Sequence, residues 1–313
     1  MNDTNTKLDF ALHLDFSAIL TNPILDIAAQ LWEPDRYQAF RVCYRSMRLI
    51  DDLVDDRKSG GVAISESEVA AISQQMLVWL EIIRAGYTDD PFAGEFIKTL
   101  KHFDLPLWPW ERLCNAMIYD LEYDGFSTFL TFARYAEGAA ISPAAIFMHL
   151  CGAHPSGDSY TKPRYDIRLA ARPLAIFSYL VHIMRDFEKD QVRDLNYFTD
   201  TSLHRYNIDR RKLKEMAVNR QASQNLRQLM AEYKRTAEFY RDKARAQVDA
   251  VLPYLEPRYQ LSVEMIYSLY LQIYERIDPE HGEFTSPAVN PAPGEVEARI
   301  EQTIRQFVPV PVI

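Results

Sequence analysis

Two segments of this chain set aspartates at a spacing that suits metal-assisted chemistry: YRSMRLIDDLVDD, Tyr44 to Asp56, and HIMRDFEKD, His182 to Asp190. Both lie in stretches of helical periodicity. Residues four apart on a helix are turned by about 400°, so they share a face within about 40°. Asp51 and Asp55 therefore project together, and so do Asp186 and Asp190. Arg48, three residues before Asp51, sits on nearly the same stripe, and Arg185 adjoins Asp186. Like charges about 6 Å apart at an effective dielectric near 20 cost roughly 2–3 kcal/mol per pair before screening. A cation bridging the carboxylates removes that cost. Oxygen ligands, with no histidine or thiolate in the D-x-x-x-D pattern, favour Mg2+ over zinc.

A single D-x-x-x-D on a helix is ordinarily a solvated acidic face. Here Leu49, Ile50, Leu53 and Val54 surround one pair, and Ile183, Met184 and Phe187 the other. Charged groups on mostly apolar helices tend to be paired or to bind a metal. Two such segments point to one shared metal–anion site. Facing helices with aspartates around Mg2+ would hold a diphosphate, and apolar helices around them would suit a long hydrocarbon.

The elements that must position these groups are helical nearly throughout. Apolar residues recur at three- and four-residue steps from Pro34 to Asp56, and again over Ser65–Ala85 after the Gly60-Gly61 break. Further helices are expected over 109–124, 127–137, 141–152, 166–191, 209–219, 222–251 and 257–277. Alternating polar and apolar runs are absent, so no sheet is expected. The reading is an all-α protein with an N-terminal arm (1–18), one helical domain (19–280), and a Pro-rich linker and short tail (281–313). The tail carries an amphipathic segment, Glu295–Phe307.

Composition narrows the function. Of 313 residues only 10 are glycine, and neither G-x-G-x-x-G nor G-x-x-x-x-G-K-[ST] occurs, which argues against a nucleotide-binding α/β fold. A net charge of −9 excludes nucleic-acid binding through a general positive field. Three cysteines (Cys43, Cys114, Cys151) form no C-x-x-C pair, which suits a reduced cytoplasmic compartment. No secretory pattern opens the chain. The apolar windows 136–153 and 167–184 carry charged or breaking residues and read as buried helices rather than bilayer spans. A soluble protein is expected, with contact to a membrane surface left open.

In order and spacing these motifs resemble the squalene/phytoene synthase family, the head-to-head prenyl diphosphate synthases, over about residues 20–280. RLIDDLVD, Arg48 to Asp55, stands for the first aspartate motif, with Tyr44 at an aromatic position one turn earlier. DLPLWPWERLCNAMIYD, ending at Asp120, and YAEGAAISPA, Tyr135 to Ala144, look like the central region. HIMRDFEKD stands for the second motif, usually NxxRDxxED, and DLNYFTDTSLHRYNID, with Tyr197, for its continuation. LYLQIYERI, with Tyr270, resembles the last core helix.

The resemblance implies a single-domain isoprenoid-synthase fold, with helices around a deep central apolar cavity. It implies Mg2+-dependent C1–C1′ condensation of two farnesyl or geranylgeranyl diphosphates through a cyclopropylcarbinyl diphosphate. Squalene, dehydrosqualene or phytoene would result, with NADPH needed if the product is squalene. Metal would sit on Asp51, Asp55, Asp186 and Asp190. Tyr44, Arg48, Tyr135 and Tyr270 would be catalytic. Arg48, Arg185, Tyr197 and His182 would meet the diphosphate, and Leu25, Ala139, Ala140 and Phe147 would border the prenyl cavity. A monomer or homodimer is expected. A non-catalytic assembly or prenyl-lipid-binding relative and a terpene cyclase are the alternatives.

Several residues depart from the family pattern. His182 replaces an asparagine, Tyr179 a glutamine one turn earlier, and Lys189 a glutamate. Leu195 takes the place of a frequent arginine, with Arg193 two residues away. Lys189 reads as solvent-facing. The paired aspartates survive, so diphosphate ionisation is expected to be intact, and the departures leave the product open. Cys151 and His154 read as core and loop rather than zinc ligands. Arg164, Arg168 and Arg172 read as a solvated helix face, and the cluster Arg210, Arg211, Lys212 and Lys214 as exposed.

Overall fold

The computed structural model describes residues 9–12, 14–58 and 63–313. The Gly60-Gly61 break and part of the 1–18 arm lie outside them. The first half consists of α1 (Asp9–Leu12), α2 (Ile24–Ala29), α3 (Pro34–Lys58), α4 (Glu66–Ala85), α5 (Pro91–His102), α6 (Trp108–Glu122), α7 (Phe129–Ala139) and α8 (Ile141–Gly152). A small hairpin follows, β1 (His154–Ser156) and β2 (Ser159–Thr161). After it come α9 (Ile167–Arg185), α10 (Phe187–Val192), α11 (Asp200–Arg205) and α12 (Arg210–Val218). The chain closes with α13 (Gln224–Val251), α14 (Pro257–Arg276), α15 (Ser286–Val289) and α16 (Pro293–Gln306). The fold is all-α.

Helix starts follow local chemistry. Ser65 opens α4 in a capping box: its backbone N donates to Glu68 Oε2 at 2.9 Å, and Glu68 N donates to Ser65 Oγ at 3.4 Å. Asp90 Oδ1 accepts from Ala93 N at 2.7 Å just ahead of Pro91, and Asp166 accepts from the amides of Arg168 and Leu169. Gly86 closes α4 at φ +70°, a left-handed turn that carries no Cβ penalty at glycine.

The interior is organised around α9, which runs against α13, α8 and α14. By length and composition α9 could cross a bilayer. In the fold it is a core helix, with Phe177, Leu180, Val181 and Met184 fully buried. Neighbouring α8 is buried on almost every face for the same reason. At the α7–α8 junction the small residues permit close packing. A Cβ on Gly138 would stand 2.1 Å from the Arg112 carbonyl oxygen of α6.

Three local features differ from the sequence reading. The β1–β2 hairpin, with His154 opposite Thr161, is a small antiparallel pair where no sheet was expected. Three-residue strands are too short to show alternation. They are held instead by Tyr160 stacking on Phe103 at 4.3 Å and by the Gly157 turn at φ +59°. The expected helix 166–191 breaks at Asp186 (φ −92°, ψ 9°), in the sparsely allowed region where many active-site residues sit. Helices α5 and α11 form outside the stretches of expected helix.

Residues 281–313, read as linker and tail, dock on the domain. Helix α16 packs on α14 with Ile300 fully buried. Beyond it, Val310 exchanges two 2.9 Å hydrogen bonds with the side chain of buried Gln260.

Candidate active site

One cavity of about 490 Å3 gathers the chemistry-bearing residues, a size typical of small-molecule sites. α3 contributes Tyr44, Arg48, Asp51 and Asp55. α9 and α10 contribute His182, Arg185, Asp186 and Asp190. Tyr135 arrives from α7, Tyr270 from α14, and Tyr197 from the segment after α10. Leu25, Ala139, Ala140 and Phe147 also line the cavity. Every site residue expected from the sequence is thus brought to one space.

The two aspartate pairs are not equivalent. Asp186 lies between Arg185 (Nε to Oδ1 2.7 Å, Nη2 to Oδ2 2.8 Å) and His182, whose Nε2 is 2.9 Å from Oδ2. Burial raises its carboxyl, but these donors and their charge outweigh burial and hold it well below the usual carboxylate range. Asp190, one turn on, has no such clamp. Burial, the charge of Asp186 and that of Asp55 across the cavity push its carboxyl up to about 7. Asp51 is likewise pushed up to about 7, by burial and by Asp55, against the opposing pull of Arg48. Arg48 splits its guanidinium between Asp51 (2.5 Å) and Asp52.

Histidine at position 182 has a defined role. Its ring borders the cavity with about 42% of the side chain exposed, and partial burial lowers its pKa. Arg185 Nη2 lies 3.2 Å from Nδ1. The arrangement calls for the neutral tautomer, accepting at Nδ1 and donating from Nε2 to Asp186.

Below the carboxylates stands a group of phenols. Tyr179 lies 6.4 Å from Tyr135 and 6.2 Å from Tyr197, ring centre to ring centre. Burial and the nearby carboxylates hold all three hydroxyls well above the usual tyrosine range. They therefore stay neutral and offer O–H donors and π faces. Phe147, 4.7 Å from Trp32 and 5.9 Å from Phe40, belongs to an aromatic wall.

The donor chemistry fits a hard divalent cation. All candidate ligands are oxygens, and the carboxyls of Asp51, Asp55 and Asp190 are pushed up by burial first and by neighbouring negative charge second. Among the described residues, no three acidic, histidine or cysteine side chains converge closely enough to enclose a metal. Mg2+ commonly takes one or two carboxylates and completes its shell with phosphate oxygens and water. Asp55 and Asp190 carry no clamp and Asp51 only shares Arg48 with Asp52, which leaves these three for that task, whereas Asp186 already has three hydrogen-bond contacts.

A sequence profile of the squalene/phytoene synthase family matches residues 26–292. The chain belongs to the squalene/phytoene synthase family. At the level of that family it is a prenyltransferase of isoprenoid biosynthesis. Among solved structures it is similar to a dehydrosqualene synthase in complex with ligand, at 17% identity and TM-score 0.69, covering 97% of this chain and 99% of that one. It is also similar to the squalene synthase HpnC from Alicyclobacillus acidocaldarius, at 16% identity and TM-score 0.55, covering 87% and 91%. At these identities the likeness concerns the fold, which is the isoprenoid-synthase fold. No curated protein sequence matches this chain.

Within this family frame, several contributors were missing from the set of site residues expected from the sequence. Tyr179, Lys189, Arg193 and Leu195, noted as departures, all line the cavity. Lys189 is exposed, as read, at the cavity's edge. Ser178 has a buried hydroxyl without a protein partner and belongs to the same lining. Asp120 lies just behind, 2.9 Å from Lys58 Nζ, and its charge reaches Asp51 and Asp55. Its position at the end of the α6 motif was the available signal. Arg168 and Arg172 instead clasp Glu137, at 2.7 and 3.1 Å. The 210–214 cluster is ion-paired too, with Asp124, Asp200, Glu215, Asp209 and Asp194. Cys151 is a buried thiol in α8, raised by burial.

Proposed function

We propose that this protein joins two prenyl diphosphates head to head in a Mg2+-dependent reaction. The path runs through a cyclopropylcarbinyl diphosphate to a squalene-, dehydrosqualene- or phytoene-type hydrocarbon. One observation carries the reading: carboxylates and guanidinium groups of two facing helical segments adjoin an apolar space lined by alanines and aromatic rings. Bound Mg2+ would supply positive charge to a departing diphosphate.

The chain's own residues supply the rest. Asp51, Asp55 and Asp190 would hold the metal, with Asp186 orienting Arg185. Arg48 and Arg185 can direct N–H donors at phosphate oxygens, as charge-assisted bonds. Tyr44, Tyr135, Tyr197 and Tyr270 present neutral phenols whose π faces suit an allylic cation without offering it a phenolate nucleophile. Ala139, Ala140 and Phe147 exclude water from the reacting carbons.

The test is incubation with farnesyl or geranylgeranyl diphosphate, with and without Mg2+ and NADPH, and identification of products by mass. A C30 or C40 hydrocarbon, lost at least 100-fold in Asp51→Ala and Asp190→Ala, is expected. Full activity in either variant would sink the assignment. A single-substrate cyclised product would favour a terpene cyclase, and binding without turnover a non-catalytic relative.

A further inference from the structure

The second aspartate segment carries a basic row beside its acidic one. Arg185, Lys189 and Arg193 recur at four-residue steps, as Asp186 and Asp190 do, and all five line the cavity. Their commitments differ. Arg185 is taken by Asp186. The other acids of the segment are engaged elsewhere: Glu188 accepts from Arg220 (2.8 Å) and from the Ser286 amide (2.7 Å), and Asp194 from Lys214 (2.6 Å). Lys189 and Arg193 are thus left facing the cavity, without an ion-pair partner among the described residues. The charge of Lys189 is felt by both Asp190 and His182.

The charges lining this cavity divide evenly. Four basic residues (Arg48, Arg185, Lys189, Arg193) face four aspartates (Asp51, Asp55, Asp186, Asp190). Arg48 and Arg185 each sit on an aspartate. Asp55 and Asp190 carry no clamp and Asp51 shares its arginine with Asp52, so these three stay within reach of a divalent cation, and two fixed cations remain for something anionic. A diphosphate is a compact polyanion with oxygens on both phosphorus atoms. It matches a point charge from lysine and a planar fork from arginine, one turn apart.

We infer that Lys189 and Arg193 bind the diphosphate group directly, as fixed cations that share with the metal the task of holding it. The inference rests on the reading of this cavity as a prenyl diphosphate site. It differs from a purely metal-bridged site in one measurable respect: part of the diphosphate affinity survives metal removal.

Calorimetric titration of inorganic diphosphate into the full-length protein, in EDTA and in Mg2+, tests it. Wild type is expected to bind in EDTA. Lys189→Gln and Arg193→Gln should each weaken that metal-free binding at least fivefold, and the double variant should lose it. Lys189→Arg should retain it, and Arg211→Gln, which does not line the cavity and pairs with Glu215, should leave it unchanged. Both side chains are exposed, so thermal melts within about 2 °C of wild type are expected to show intact folding. Absence of metal-free binding in wild type, or equal metal-free affinity in wild type and the double variant, overturns the inference. Failure of wild type to bind diphosphate even with Mg2+ would overturn the reading of the cavity itself. Mg2+-dependent binding with no metal-free component would overturn only the role of the two cations.

Discussion

Arg185 grips the carboxylate of its own neighbour, Asp186, with two hydrogen bonds of 2.7 and 2.8 Å. The pair forms where α9 breaks before α10, so the fork and its acceptor are held by backbone geometry as well as charge. This clamp leaves Asp186 ionised throughout the working range and leaves Asp190 as the responsive member of its pair.

Breaking the clamp should therefore be costly. Arg185→Gln strips Asp186 of its charge partner and should lower kcat/KM at least 100-fold. Arg185→Lys keeps the charge but not the bidentate fork, and should recover only part of that loss. Steady-state kinetics of both variants, with Mg2+ saturating, check the order wild type, Lys, Gln.

The opposite walls predict a pH dependence. Asp51 and Asp190 have carboxyls near 7 in the folded chain, against about 3.9 when unfolded. Between roughly pH 4 and 7 the folded chain keeps protons there that the unfolded chain releases. Their contribution to stability in EDTA thus declines as pH rises through that window and levels off above 7. The Tm of Asp51→Asn should gain on wild type by a few degrees between pH 5 and 8. Mg2+ should close the gap by stabilising wild type, and its binding at pH 7 should release protons, measurable by calorimetry in buffers of different ionisation enthalpy.

Gly138 sits where α7 crosses α6. Alanine would ordinarily favour a helix by up to about 1 kcal/mol over glycine. Here its Cβ would meet the Arg112 oxygen at 2.1 Å and the Ala116 Cβ at 2.6 Å, so the helices must move apart. Overpacking costs about 1–3 kcal/mol. Gly138→Ala should come out destabilising, read as a lower urea midpoint.

Fully buried Gln260 ties the last residues to α14. It accepts from Val310 N and donates to Val310 O, each at 2.9 Å, and also donates to Leu255 O. Gln260→Leu leaves those backbone groups unpaired and should cost about 1–3 kcal/mol. Deletion of residues 308–313, none of which lines the cavity, should lower Tm in the same direction while diphosphate binding holds.

The D-x-x-x-D pairs, the helical periodicity and the glycine scarcity determined an all-α chain with carboxylates on helix faces, because spacing along one helix is a local property. Every expected site residue reached one cavity, since each motif carries its own helix and apolar stripe. What sequence alone could not decide is which charges pair. Asp51 and Asp186 occupy equivalent places in their motifs, yet Asp186 is clamped by Arg185 and His182, whereas Asp51 shares Arg48 with Asp52. Lys189 read as a solvent-facing lysine and is exposed, but only the placement of Glu188 and Asp194 against Arg220 and Lys214 leaves it facing the cavity. Arg168 and Arg172 keep the exposure expected of a solvated face, at 43% and 45%, and α7 also brings Glu137 to pair with both. Pairing depends on contacts between elements distant in sequence, and burial then sets how strongly each charge is felt.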